Sequence, residues 1–196
     1  MFKRSLYMCL WMTLMTGIVY PLLITLVAHL SMPLQANGSL IRVNDKVIGS
    51  HLIGQKFTSE KYFWGRPSAS HYDPLHSGGS NLGPISAKLK EQVQARIAHL
   101  QSTTSIDSSQ LIPDDLLFAS GSGLDPHITL DAGLYQKKRI AKARGFNEAD
   151  IQLLDRLIEY MTEKRTFKFM GQPCLNVLRL NIALDELSNK DKHHHE

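Results

Sequence analysis

Cysteine is nearly absent. The two present, Cys9 and Cys174, stand near opposite ends of a 196-residue chain, and the first lies inside an apolar stretch. They are not expected to meet, so no disulfide framework holds this fold, and one domain thiol does not fix the redox compartment. Charge of one sign is also scarce. The chain carries 22 Lys and Arg against 18 Asp and Glu, a formal net charge of +4. That excess is small and comes with no nucleic-acid-binding motif, so nucleic acid is excluded as a partner. The densest basic run, Lys137, Lys138, Arg139, Lys142 and Arg144, has the spacing of a solvated helix face.

Enzyme signatures are missing too. There is no G-x-x-x-x-G-K-[ST] phosphate loop, no H-E-x-x-H and no paired C-x-x-C. The G-x-S-x-G elbow fails in both Ser/Gly loops. Leu82 takes the second glycine slot around Ser80, and Ser120 and Leu124 take both slots around Ser122. No Asp-Lys-Thr-Gly occurs, so the chain lacks the phosphorylated aspartate of a P-type pump.

What it does have is a long uncharged start. Residues 6–30 contain no Asp, Glu, Lys or Arg. As a helix they span about 37 Å, more than the roughly 30 Å of a bilayer core. The run is too long for a signal-peptide core and no A-x-A site follows, so an uncleaved anchor is expected. Pro21, one turn after Gly17, is a candidate kink. Lys3 and Arg4 flank the N-terminal side closely, and the first positive residue beyond the run is Arg42. The positive-inside rule then puts the N-terminus in the cytoplasm and the following domain outside.

The remainder reads as one α+β domain. Residues 1–31 are the cytoplasmic N-terminus and transmembrane helix, 32–38 a linker, 39–188 the globular domain, and 189–196 a polar disordered tail. Residues 39–43 and 46–53 around the turn pair Asn44 and Asp45 read as a hairpin, with Ile41, Val43, Val47 and Leu52 as its apolar members. Residues 57–84 are rich in Gly, Ser, Pro and aromatics and are expected to be irregular. Leu89, Val93, Ile97 and Leu100 mark a helix over 86–100, followed by a loop over 101–109. The apolar run 116–118 fits a strand or a helical turn. A second helix is expected over 130–144, capped by Thr129 and ended by Gly145. A third starts after Asn147, with Ile151, Leu154, Leu157, Ile158 and Met161 as its apolar face. Residues 175–178 read as a strand and a short helix follows to about Leu187.

Two polar clusters invite chemistry. His71, Asp73 and His76 could offer imidazole and carboxylate to a metal, but the spacing matches no standard site and a polar loop is the simpler reading. Asp125 and His127 could be half of an acid–base pair, with Ser122 as a nucleophile in a membrane-anchored extracytoplasmic hydrolase or ligand-binding protein. Asp before Pro126 is equally a turn starter. His193, His194 and His195 are assigned no function.

Three loop motifs carry a resemblance. Tyr62-Phe63-Trp64-Gly65-Arg66-Pro67-Ser68, then Ser77-Gly78-Gly79-Ser80-Asn81-Leu82-Gly83-Pro84, then Ser120-Gly121-Ser122-Gly123-Leu124-Asp125-Pro126-His127-Ile128 resemble the C subunit family of the high-affinity potassium-transporting ATPase, KdpC. Asn176-Val177-Leu178 with Leu180-Asn181, the single N-terminal anchor and the length fit as well. The resemblance implies a non-catalytic accessory subunit of a bacterial inner-membrane complex. Its partners would be a channel-like potassium-binding subunit, a P-type ATPase subunit and a small one-helix subunit. No cofactor of its own is implied; ATP would come through the ATPase subunit, whose ATP affinity the C subunit is proposed to raise as a catalytic chaperone. The nucleotide-contacting residues so implied are Gln136 and the loop Ser77, Gly78, Gly79 and Ser80. Ser80 stands where the comparable ABC-transporter signature has Gln.

Overall fold

The structure, a computed structural model, describes residues 2–43, 45–104 and 110–193, with side chains through residue 188. Contacts divide the chain into two units, Met1–Ser50 and His51–Glu196.

The first unit begins with a helical run over Phe2–Ser31, long and apolar enough to cross a membrane and with none of its most apolar window buried. It comprises α1 (Phe2–Leu14), a π-helical turn (Met15–Val19) and α2 (Tyr20–Ser31). The π turn is how the helix meets Pro21. Proline has no N–H and its ring collides with the carbonyl four residues back, here that of Gly17. The widened turn, closed by Tyr20 N–H donating to the Met15 carbonyl, keeps the run continuous. Thr16 and Ser31 hydroxyls donate to the Met12 and Val27 carbonyls, at 2.7 and 2.6 Å. Those polar side chains are thus satisfied inside the helix, as lipid demands.

The linker holds one helical turn, α3 (Pro33–Ala36). The hairpin follows as β1 (Leu40–Val43) and antiparallel β2 (Lys46–Ser50), with a register shift between Ile41 and Arg42. Its turn residue Asp45 is left-handed, φ 62°; Asn44 lies outside the described residues. The second strand stops at Ser50, short of Leu52. The hairpin belongs to the first unit rather than to the globular one.

The second unit is the α+β body. From residue 57 to 84 the chain is irregular apart from one 3-10 turn, Pro74–His76. Helix α4 (Ala87–Thr103) starts at its Ser86 cap and outruns the expected end by a turn. Most of the expected loop after it, residues 105–109, lies outside the described residues. The apolar run at 116–118 resolves as a helical turn, α5 (Asp114–Leu117), followed by β3 (His127–Thr129). Helix α6 (Leu130–Arg144) has the expected bounds: Thr129 Oγ1 accepts from Ala132 N–H, and Gly145 closes it in the left-handed conformation, φ 69°. Helix α7 (Glu148–Met161) opens with a reciprocal capping box between Asn147 and Asp150.

The C-terminal segment departs from expectation. The strand β4 is Cys174–Asn176, and α8 (Val177–His193) starts where a strand residue was expected. Asn176 is the reason: its Oδ1 accepts the Arg179 N–H at 3.2 Å, an N-cap that turns strand into helix. The helix also continues through residues 189–193, where a disordered tail was expected.

β3 and β4 pair antiparallel, Ile128 opposite Leu175, and both point into the core. Around them pack Ala132, Tyr135 and Ile140 of α6, Leu154 and Ile158 of α7, and Leu180 and Leu184 of α8. Gly133 permits the close approach of α6 to β4: a Cβ there would stand 2.6 Å from Leu175 Cδ1.

Candidate functional site

The irregular segment is ordered by side chains from two helices. Trp64 N–H donates to Gln136 Oε1 at 2.7 Å, and Gln136 Nε2 donates back to the Trp64 carbonyl at 3.1 Å. One residue earlier, Phe63 N–H donates to Asn181 Oδ1 at 2.8 Å and Asn181 Nδ2 donates to the Phe63 carbonyl at 3.0 Å. Two carboxamides, from α6 and α8, thus take the place of neighbouring strands. Each satisfies both backbone groups of one residue, which buried backbone requires. Phe63 itself is fully buried in the core.

Arg139 completes the clamp. It is one turn along α6 from Gln136 and only 2% exposed. Its guanidinium donates to Gln136 Oε1 at 2.7 Å, to the Tyr62 carbonyl at 3.0 Å and to the Glu60 carbonyl. Its carbon lies 3.7 Å above the Trp64 ring centre, within cation–π range. Burial pushes it down to about 10, opposed by the charge of Glu60, so it stays protonated near neutrality. The expected solvated basic face is therefore wrong at this residue. Arg139 shares a stripe with buried Ala132, Tyr135, Gln136 and Ile140, and its charge is solvated by backbone carbonyls from a segment far away in sequence. Arg144 is likewise engaged, with the Lys61 carbonyl, Ser188 and Asp185.

The three loop motifs meet each other. Ser120 N–H donates to the Pro67 carbonyl, Gly78 N–H to the Ser122 carbonyl, and Ser68 Oγ to the Gly123 carbonyl at 2.6 Å. The contact at Gly123 requires glycine. Its φ is 71°, and a Cβ would fall 2.5 Å from Ser70 Oγ and 2.8 Å from the Gly78 carbonyl oxygen. Arg66 ties the platform electrostatically, lying 3.2 Å from Asp125 Oδ2 and 3.6 Å from Asp115 Oδ1. His71 and Tyr72 both have positive φ, 55° and 63°, in a turn closed by Asp73 N–H to the Ser70 carbonyl. Tyr72 Oη donates to the Arg66 carbonyl at 2.5 Å.

Beside the platform lies a cleft of about 710 Å³, bordered by Lys56, Trp64, Arg66, Tyr72, Arg96 and His99, with no carboxylate among its lining residues. The Trp64 ring stacks on His99 with centres 5.2 Å apart.

The expected nucleotide residues do not converge. Gln136 is fully buried. Its Oε1 accepts from Trp64 and Arg139, and its Nε2 donates to Trp64 and to the Ala132 carbonyl at 3.2 Å. Those four bonds use its whole capacity. Ser77 Oγ donates to the Ser122 carbonyl, and Gly79 lies against Gly121. Gly78 and Ser80 sit half-buried in the same loop. None of the five residues lines the cleft.

The other clusters assemble only in part. His76 and Asp73 form an exposed 2.6 Å pair while Asp73 also caps the 3-10 turn, and His71 does not join them. Asp125 Oδ1 accepts the His127 N–H at 2.9 Å, the expected turn starter, and its ring lies 3.6 Å away. Burial raises the Asp125 carboxyl, but hydrogen bonds from His127 and the charges of Arg66 and His127 outweigh it and hold the group below its ordinary value. Asp125 in turn raises His127, against burial. Ser122 Oγ accepts the Leu124 N–H at 3.1 Å, and among the described residues no hydrogen bond links it to His127.

With three glycine loops, an amide clamp and an apolar anchor in place, comparison with known proteins decides the family. The K+-transporting ATPase c chain, KdpC, matches residues 2–186. The chain belongs to the KdpC family. The potassium-transporting ATPase KdpC subunit of Methylococcus capsulatus is 45% identical over 189 residues, covering 95% of this chain and 97% of that one. That of Burkholderia orbicola is 48% identical over 177 residues, 89% and 90% of the two chains. That of Herpetosiphon aurantiacus is 45% identical over 194 residues, 97% and 98%. The KdpC match thus runs from the apolar helix into α8. The sequence pointed to the loops; it gave no direct sign of Asn181 and Arg139 as their holders, although both fall on buried helix stripes.

Proposed function

We propose that this chain is an accessory subunit of an ATP-driven potassium-uptake complex, held in the bacterial inner membrane by Phe2–Ser31 and acting without catalytic residues of its own. The observation that carries this is the family match over residues 2–186, continuous from the apolar helix through the body. The partners in this reading are the channel-like potassium-binding subunit, the P-type ATPase subunit and the small one-helix subunit. The N-terminus faces the cytoplasm and the α+β body lies outside, as Lys3 and Arg4 favour. The engagement of Ser122 Oγ with Leu124 supports a non-catalytic reading over the hydrolase alternative.

Any effect on ATP affinity would pass through the conformation of the complex rather than through contact. Gln136 could reach a nucleotide only by abandoning the Trp64 backbone and Arg139. The body then acts as a preformed, amide-clamped cap that stabilises the assembly.

Topology tests the reading. Alkaline phosphatase and a fluorescent protein are fused in turn after Glu196. Active phosphatase with a dark fluorescent fusion is expected. The opposite pattern overturns the external placement and returns Gln136 and the 77–80 loop to direct test in an ATP-affinity assay.

A further inference from the structure

The β3–β4 ribbon carries, on the face away from the core, side chains that the pump reading does not use. Ile128 and Leu175 point inward, so by strand alternation His127, Thr129, Cys174 and Asn176 share the outer face. The register sets Thr129 opposite Cys174 and His127 opposite Asn176, which makes His127 the diagonal neighbour of Cys174. On the other edge of β4, Glu163 forms a bridge with Cys174. Its N–H donates to the Cys174 carbonyl at 2.8 Å, and the Cys174 N–H donates back at 3.2 Å. Backbone pairing alone therefore gathers an imidazole, a carboxylate and a thiol. One ligand atom of each lies within 4.8 Å of the other two.

The imidazole is also turned the right way. Its Nδ1 lies 3.6 Å from Asp125 Oδ1, and its Nε2 faces Glu163 Oε2 at 3.9 Å. A carboxylate behind one ring nitrogen, leaving the other free to ligate, is the usual outer support of a metal-bound histidine.

We infer that His127 Nε2, Glu163 and Cys174 Sγ form a three-ligand site for a borderline-soft divalent cation of the zinc class, with Asp125 orienting the imidazole. Nitrogen, oxygen and sulfur are zinc's own ligand types, whereas magnesium and calcium take oxygen. Bond lengths of about 2.0–2.3 Å place tetrahedral ligand atoms roughly 3.3–3.6 Å apart. The Glu163 side chain, 44% exposed, is free to rotate its carboxylate inward, and the His127 and Cys174 side chains would adjust on binding. Arg179 competes for Glu163 Oε1 at 3.4 Å, but that pair is exposed on both sides and weak beside a metal bond. Three protein ligands leave a fourth position open. The bound ion would fasten the start of the α7–β4 connection to the ribbon.

The test uses the full chain in detergent, with Cys9→Ser, His193→Ala, His194→Ala and His195→Ala removing the other thiol and the terminal imidazoles. Cobalt(II) is titrated as an optical probe and then displaced by zinc. One equivalent is expected, with a thiolate-to-cobalt charge-transfer band that Cys174→Ser abolishes. His127→Gln and Glu163→Gln should each weaken binding at least about tenfold, and Asp125→Asn about ten- to a hundredfold. Absence of the thiolate band in the parent, or unchanged affinity in both His127→Gln and Glu163→Gln, overturns the site. If Cys174→Ser does not fold, those two variants, at a half-buried and an exposed side chain, decide the matter.

Discussion

Gln136 and Trp64 are joined by a reciprocal pair of hydrogen bonds, 2.7 Å into the carboxamide and 3.1 Å out of it. A helix side chain thereby serves as the missing strand for a loop. Gln136→Ala leaves a buried N–H, a carbonyl and part of Arg139 unpaired, at a cost of about 2–4 kcal/mol. The loss should appear in urea unfolding of the full chain with no nucleotide present. Asn181→Ala should behave alike. The double variant should cost less than the sum, because both clamp consecutive residues of one segment. Wild-type stability in Gln136→Ala would show that the clamp does not hold the fold.

Gly123 lies where the three glycine loops converge. Gly123→Ala must accommodate a Cβ 2.8 Å from a backbone oxygen at a left-handed φ. A loss of about 2–4 kcal/mol is expected. Gly83→Ala, where a Cβ meets nothing within 4 Å, is the control. Equal behaviour of the two would contradict the packing described.

His71 occupies a left-handed position, φ 55°, with an exposed side chain. His71→Gly relieves the steric penalty of about 1–2 kcal/mol but loosens the unfolded chain. The net result should be neutral to about 1 kcal/mol stabilising, read from thermal unfolding. A clear destabilisation would assign the imidazole a contact of its own in the cleft.

Tyr72 gives an alkaline signature. Burial pushes its phenol up to about 12, Asp125 adding to the shift and Arg66 opposing it. The folded state therefore holds this proton more tightly than the unfolded one. Its contribution is complete below pH about 10 and is lost as pH rises towards 12, about 1–2 kcal/mol allowing for partial exposure. Tyr72→Phe should be less stable near neutrality, through loss of the bond to the Arg66 carbonyl, yet lose less further stability above pH about 10. An unaltered alkaline slope would contradict the burial of this hydroxyl.

Legibility in the sequence followed the range of the interactions. Thr129, Gly145 and Asn147 act within one turn of their own helices, and α6 accordingly has the expected bounds. The apolar anchor was equally plain, although the π turn at Met15–Val19 was not, since it is the backbone's answer to Pro21. Leu175 and Asn176 lie in β4 as the strand reading expects, but Val177 and Leu178 open α8, because the capping bond from Asn176 to Arg179 that turns the chain forms only once the helix exists. Arg139 was misread because the carbonyls that bury it come from residues 60 and 62. The site's loops could be read, and the residues that hold them could not, because those hydrogen bonds join segments 72 or more positions apart.

Subunit membership is tested by affinity purification from solubilised bacterial membranes. The full chain, tagged after Glu196 and produced with the other components of the potassium-transporting ATPase, should bring them down in stoichiometric amounts. A chain lacking residues 3–31 should bring down none. Full-length chain eluting alone would rule out subunit membership, and a soluble body that still captures the complex would deny the anchor its role in association.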